Sequence, residues 1–153
     1  AGAERLDNTP REAVDQWIET IRQHWHAVRP TAGSRLIVGS DGTAPEIIAD
    51  PRLEQAVLNL LNNAANATPL PVDIRLSWCS LNVCIDIVDH GPGFPEHVLA
   101  QAGQQSFPAH TGGSGVGLML TRSAIEQLGG RLTLANNDET GALARIELPR
   151  TGP

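Results

Sequence analysis

Three groups of residues in this chain could do chemistry: a carboxylate followed by glycines, Asp89-His90-Gly91-Pro92-Gly93; a run of alternate glycines, Gly113-Ser114-Gly115-Val116-Gly117-Leu118; and an upstream series of amides, Gln55, Asn59, Asn63 and Asn66, at helical spacing. A carboxylate only accepts hydrogen bonds and repels phosphate, so Asp89 suits an exocyclic amine such as that of adenine. Gly91 and Gly93 would then let a flat base come close, although an ordinary Asp-Gly turn reads the same way. Gly113, Gly115 and Gly117, directly before a predicted helix, leave backbone N–H groups free for an anion, and the helix dipole adds to the attraction. Asn59 and Asn63, one turn apart, can offer neutral oxygens to a magnesium ion that takes the rest of its shell from water and phosphates. Together these groups predict a magnesium-nucleotide site.

That site is built without lysine. All 11 basic residues are arginine, which excludes a P-loop and a protein kinase of the usual type, since each places a lysine on the phosphates. A net charge of −6 with scattered arginines argues against nucleic acid as a partner. No apolar run approaches the ~20 residues of a membrane span, and no secretory pattern is visible, so no membrane contact is expected from this segment and a cytoplasmic setting is predicted. Cys79 and Cys84 fall in apolar, strand-like sequence and are read as small core hydrophobes, with a redox role as the alternative.

The elements that must position these groups follow from periodicity. Thr9-Pro10-Arg11-Glu12 reads as a helix start, and Val14, Trp17, Ile18, Ile21, Trp25 and Val28 form its apolar stripe. His24 and His26 at its end are read as solvated or structural. Arg35–Val38 and Glu46–Ala49 are short strands. Asp50-Pro51 caps a second helix, whose face of Leu53, Val57, Leu60, Leu61 and Ala64 is apolar and whose polar face carries the amides. Asparagine is a mediocre helix former, so its repetition there suggests selection for its oxygen and amide hydrogens, against the alternative of a merely solvated face. Val72–Trp78 and Val83–Val88 form a hairpin that runs into Asp89. Pro95–Gln101 is a short helix, and the aperiodic stretch 101–113 is a loop. A third long helix from Gly117 shows Leu118, Thr121, Ile125 and Leu128 on one face and stops at Gly129-Gly130. Arg131–Ala135 and Ala142–Leu148 are the last strands, around a turn at Asn136-Asn137-Asp138. With helices and hairpins mixed and no regular β-α-β repeat, the fold class is α+β, a two-layer sandwich in one domain.

The order of amide helix, Asp-x-Gly-x-Gly, loop, Gly-x-Gly-x-Gly-Leu, helix and Gly-Gly, spanning roughly residues 53–149, closely resembles the ATP-binding catalytic domain of two-component sensor histidine kinases. Their superfamily also holds gyrase B, MutL and heat-shock chaperones. The resemblance implies a mixed, mainly antiparallel sheet under three helices, ATP and Mg2+ as ligands, residues 1–8 as a linker or leftover segment, 9–150 as the catalytic domain and 101–113 as an ATP lid. By it Asn59, Asn63 and Asn66 belong to the asparagine box, with Asn63 the magnesium ligand. Asp89, Gly91 and Gly93 would hold adenine, and Gly113, Ser114, Gly115, Val116, Gly117 and Leu118 would close over the phosphates. Asn59 is assigned a catalytic role, because hydrolysing relatives carry there a glutamate that activates water, and an amide cannot act as that base. ATP would thus be held until an imidazole attacks the γ-phosphate.

The implied partners are the kinase's own dimerisation and phosphoacceptor histidine domain and, through the whole kinase, a response regulator. The setting is cytoplasmic, whether free or as the cytosolic end of a membrane-anchored sensor. Departures from the family pattern are Asn66 and Ala67, where many members carry a basic residue and an aromatic; a lid reduced to Phe107, with His110 or Thr111 as substitute phosphate contacts; and Ala142 after Gly141 in place of threonine. They leave open a nucleotide-sensing module without phosphotransfer and an anti-sigma-type serine kinase. The residues from Asp89 to Phe94 and the alanine-rich box also resemble a redox-responsive subgroup.

Overall fold

In a computed structural model of the chain, residues 10–101, 114–136 and 141–150 are described. Their elements are β1 (Arg11–Ala13), α1 (Val14–Val28), β2 (Ser34–Val38), β3 (Glu46–Ile48), α2 (Pro51–Ala67), β4 (Val72–Trp78), β5 (Asn82–Val88), the short α3 (Glu96–Gln101), α4 (Ser114–Gln127), β6 (Arg131–Asn136) and β7 (Ala142–Pro149). The main sheet runs β2-β4-β5-β7-β6. Its β2-β4 pair is parallel and the other three pairs are antiparallel, which is the mixed, mainly antiparallel sheet expected.

Strand parity builds the core. Val72, Ile74 and Leu76 of β4, Val83, Ile85 and Ile87 of β5, Leu132 and Leu134 of β6 and Ala144, Ile146 and Leu148 of β7 are buried on one face, where the apolar stripes of α1, α2 and α4 cover them. The opposite face is charged, as alternation requires of a sheet covered on one side. Asp86 of β5 sits opposite Arg145 of β7 and accepts from its Nε and Nη2 at 2.8 and 2.9 Å.

Two helix boundaries follow local chemistry. Asp50 accepts from the backbone N–H of Arg52 at 2.8 Å with Pro51 in the first turn, the cap-then-proline start of α2. At the end of α4, Gly130 N–H bonds Ile125 C=O and Gly129 N–H bonds Glu126 C=O. This pattern needs a left-handed residue, and Gly129 has φ +85°.

The first helix differs from expectation. Residues 11–13 pair antiparallel with β3, and α1 starts at Val14 with no side-chain cap; pairing with a strand more than thirty residues on overrides the local Thr-Pro signal. Val28, read as the end of the buried stripe, is 80% exposed. The cysteines also depart from expectation, since Cys79 is exposed and Cys84 only half-buried. Cys84 lies opposite Ser77 and so shares the parity of Asp86 rather than that of Val83 and Ile85. The N–H groups of Leu81 and Asn82 hold the Cys79 thiol below its ordinary pKa, and burial pushes that of Cys84 up.

Candidate functional site

The amide stripe of α2 is presented as its sequence predicts, because Leu53, Ala56, Val57, Leu60, Leu61 and Ala64 are buried and the opposite arc is left for polar groups. Its members are differently engaged. Asn59 accepts from Gln55 Nε2 at 3.3 Å and donates to Thr121 Oγ1 of α4 over a long 3.5 Å, linking the two helices. Asn66 accepts from Arg29 Nη1 at 3.0 Å. Asn63, half-buried between them, makes no hydrogen bond among the described residues, so its amide is the uncommitted one.

Asp89 stands where β5 ends, and the ladder carries it one step further, since its N–H bonds Ala142 C=O at 3.0 Å. Its Oδ1 accepts from the backbone N–H groups of Gly91 at 2.9 Å and Ala142 at 3.2 Å. Those two bonds fix the rotamer of a residue only 4% exposed. Oδ2 accepts nothing among the described residues and is the oxygen left for a ligand. A rigid carboxylate with one oxygen spent on backbone and one uncommitted is an acceptor ready for a donor.

The glycines beside it are required by the protein itself. A Cβ on Gly91 would lie 2.9 Å from Ala67 C=O at the end of α2, so the missing side chain lets the Asp89 segment approach the asparagine helix. Gly93 has φ +87°, and its Cβ would meet Asn136 Oδ1 at 2.9 Å. Asn136 in turn accepts from Phe94 N–H at 2.7 Å and donates to Phe94 C=O at 3.0 Å, pinning the loop to the end of β6. Asn136, read in the sequence only as a turn residue, is thus a brace.

His90, between Asp89 and Gly91, is held from the charged face by Asp73 of β4, whose Oδ2 lies 3.2 Å from His90 Nε2. The same carboxylate accepts a two-point bond from Arg35 at 2.8 and 2.9 Å. Burial alone would raise the pKa of Asp73, but the bonds from Arg35 and His90 outweigh it and hold the carboxyl below its ordinary value. A carboxyl depressed in the folded state contributes stability above its unfolded pKa, and that contribution fades as pH falls through the folded value. Thermal unfolding of the wild type should therefore lose stability below about pH 4 more steeply than that of Asp73→Asn. Parallel pH profiles for the two proteins would refute this attribution.

Of the second glycine cluster, Gly113 lies outside the described residues, as do 102–113 of the expected lid 101–113, with Phe107, His110 and Thr111, and Asn137 and Asp138 of the expected turn. Ser114, Gly115, Val116 and Gly117 form the first turn of α4, so the helix begins inside the cluster rather than after it. First-turn N–H groups have no partner within a helix, and an anion is still favoured there. Leu118 is 2% exposed; its side chain belongs to the core, and what it offers a ligand is backbone. Thr121 and Arg29 were missed as neighbours of the amides: Thr121 reads as a stripe residue, and nothing in the sequence marks Arg29. A cavity of about 460 Å3 between the start of α2 and the end of α4 is lined by none of these predicted residues.

A two-layer sandwich with a buried acceptor at a strand end, an uncommitted amide on the adjoining helix and a helix N-terminus rising from glycines defines a nucleotide-binding class of domain. Residues 49–152 match the family described as histidine kinase-, DNA gyrase B-, and HSP90-like ATPase, and the chain belongs to that family. It is 38% identical over 106 residues to the sensor protein CseC of Streptomyces coelicolor, covering 66% of this chain and 20% of that protein. It is 36% identical over 106 residues to the C4-dicarboxylate transport sensor protein DctB of Pseudomonas aeruginosa, covering 65% of this chain and 17% of that one. The solved structure of the mycobacterial sensor histidine kinase MprB superposes with a TM-score of 0.75 at 25% identity, covering 95% of this chain and 99% of that chain. The match thus spans about a fifth of the length of these curated relatives. No described helix is long and apolar enough to cross a membrane.

Proposed function

We propose that this chain binds Mg-ATP and donates its γ-phosphate to a histidine on a separate dimerisation and phosphoacceptor domain, from which a response regulator takes it. The observation that carries the reading is Asp89, with Oδ1 held by two backbone N–H groups and Oδ2 left as a rigid acceptor for the adenine amine. Gly91 sets the base pocket against the end of α2 and Gly93 sets its loop against Asn136 of β6, and the first turn of α4 receives the phosphates. Asn63 fits a magnesium ion because its amide oxygen is neutral and uncommitted; it would hold the ion, which would supply positive charge to offset that of the phosphates.

Asn59 completes the reading. Its amide is tied to Gln55 and Thr121 and cannot take a proton from water, so position 59 supplies no base to hydrolyse ATP. The imidazole nitrogen of the acceptor domain attacks the γ-phosphorus, the bond from that phosphorus to the β,γ-bridging oxygen breaks, and ADP leaves while the imidazole loses its proton. The protein's part is positioning and charge.

The test is to mix the chain with its own acceptor domain and γ-labelled ATP. Label that is transferred, stable to alkali and released by acid marks a phosphoramidate and supports the reading. Acid-stable label marks a serine kinase, and ATP binding with no transfer marks a sensing module; either outcome overturns it.

A further inference from the structure

Four arginines of this domain are neutralised by carboxylates. Arg22 pairs with Glu19, Arg35 with Asp73, Arg52 with Asp50 and Arg145 with Asp86. Arg29 is different. It ends α1, half-buried, and its Nη1 donates to Asn66 Oδ1 at 3.0 Å and Asn62 Oδ1 at 3.2 Å, with no carboxylate partner among the described residues. Its bonds go to neutral oxygens, so its positive charge stays uncompensated.

The arrangement is also rigid. Trp25, one turn before Arg29 and 2% exposed, donates its indole N–H to the same Asn62 Oδ1 at 2.9 Å, and Arg29 N–H closes the helix on Trp25 C=O at 2.8 Å. Asn62 is therefore pinned by two donors, and the guanidinium is pinned to Asn62. At ~100° per residue, Asn59, Asn62, Asn63 and Asn66 fall within one arc of about 100° on α2. Asn62 forms the edge toward α1, Asn63 forms the other edge, and Asn66 lies between. Because Asn66 accepts from Arg29 through Oδ1, its NH2 is turned away from the guanidinium, and it donates to nothing among the described residues. An amide whose oxygen is bonded to a cation is polarised into a stronger donor.

We propose that Arg29 is a positioning residue for the triphosphate: it orients and polarises Asn66 so that the Asn66 NH2 faces the phosphates, and it sets an uncompensated positive charge beside them. This rests on the Mg-ATP reading above. In a domain without lysine, α1 supplies the cation across the helix interface, and Asn66 conveys it.

The experiment is isothermal titration of ATP, ADP and adenosine, with Mg2+, into the wild type, Arg29→Gln, Arg29→Lys and Asn66→Ala. Arg29→Gln should weaken ATP about tenfold, ADP less, and leave adenosine unchanged. Arg29→Lys should stay within about threefold of the wild type, and the ATP deficit of Arg29→Gln should shrink between about 50 and 500 mM salt as screening grows. Asn66→Ala, an exposed helix position that folds without its side chain, should weaken ATP about fivefold and spare adenosine; it keeps the test decisive should Arg29→Gln unfold. Equal losses for all three ligands, or an unchanged ATP-to-adenosine ratio in Asn66→Ala, would overturn the proposal. A wild type that binds no ATP overturns the Mg-ATP reading with it, whereas a wild type that binds ATP while the variants show no phosphate dependence overturns this inference alone.

Discussion

Asp89→Asn is expected to weaken ATP binding by about thirtyfold to a thousandfold while leaving the fold intact. The two roles of the carboxylate separate cleanly in this substitution. Oδ1 accepts from Gly91 and Ala142 N–H groups, and an asparagine can turn its own oxygen to keep both bonds. What then occupies the Oδ2 position is an NH2, which confronts the adenine amine with a donor where it needs an acceptor. A buried donor left without a partner and a charge-assisted bond lost cost about 2–4 kcal/mol together, which is the stated loss in affinity. Titration calorimetry with a non-hydrolysable ATP analogue, beside thermal unfolding of the ligand-free proteins, checks both halves. Unchanged affinity would remove Asp89 from the site. Asp89→Ala should differ in kind, since it also strips the acceptor from two backbone groups and lowers stability.

The parts of this site that are legible in the sequence are those set by local periodicity. The amides of α2 share one face because residues three and four apart do so in any helix, and Asp50-Pro51 fixes where that helix starts. Asp89 is visible as a strand-end carboxylate because β4 and β5 form a hairpin of plain register. Long-range pairing hides the rest. Arg11–Ala13 carries a helix-start pattern, yet its partner is Glu46–Ile48. Arg29 and Asn66 are 37 positions apart, and no spacing rule joins them. The need for glycine at position 91 shows only once the end of α2 is seen against it. Cys84 is a different case, because alternation along the strand gives it the parity of Asp86 against Val83, Ile85 and Ile87, while apolar composition alone points to the core.

The same division between residues the fold uses and residues it leaves free predicts the second large effect, at Asn63. Its amide bonds nothing among the described residues, and its helix packs through Leu60, Leu61 and Ala64 instead. Asn63→Ala therefore removes no internal contact, and alanine is the better helix former by roughly half a kcal/mol. Thermal stability should stay level or rise slightly. Phosphotransfer to the acceptor domain should fall by about a hundredfold or more, because an oxygen ligand to magnesium contributes where charge develops in the transition state. Affinity measured with EDTA in place of Mg2+ should match the wild type, so that the defect appears only with the metal. A group that costs the fold stability and bonds nothing within it is explained by its ligand. A stability loss of more than about 1 kcal/mol in Asn63→Ala would instead mark this amide as part of the scaffold, and the metal assignment would pass to another group on the same stripe.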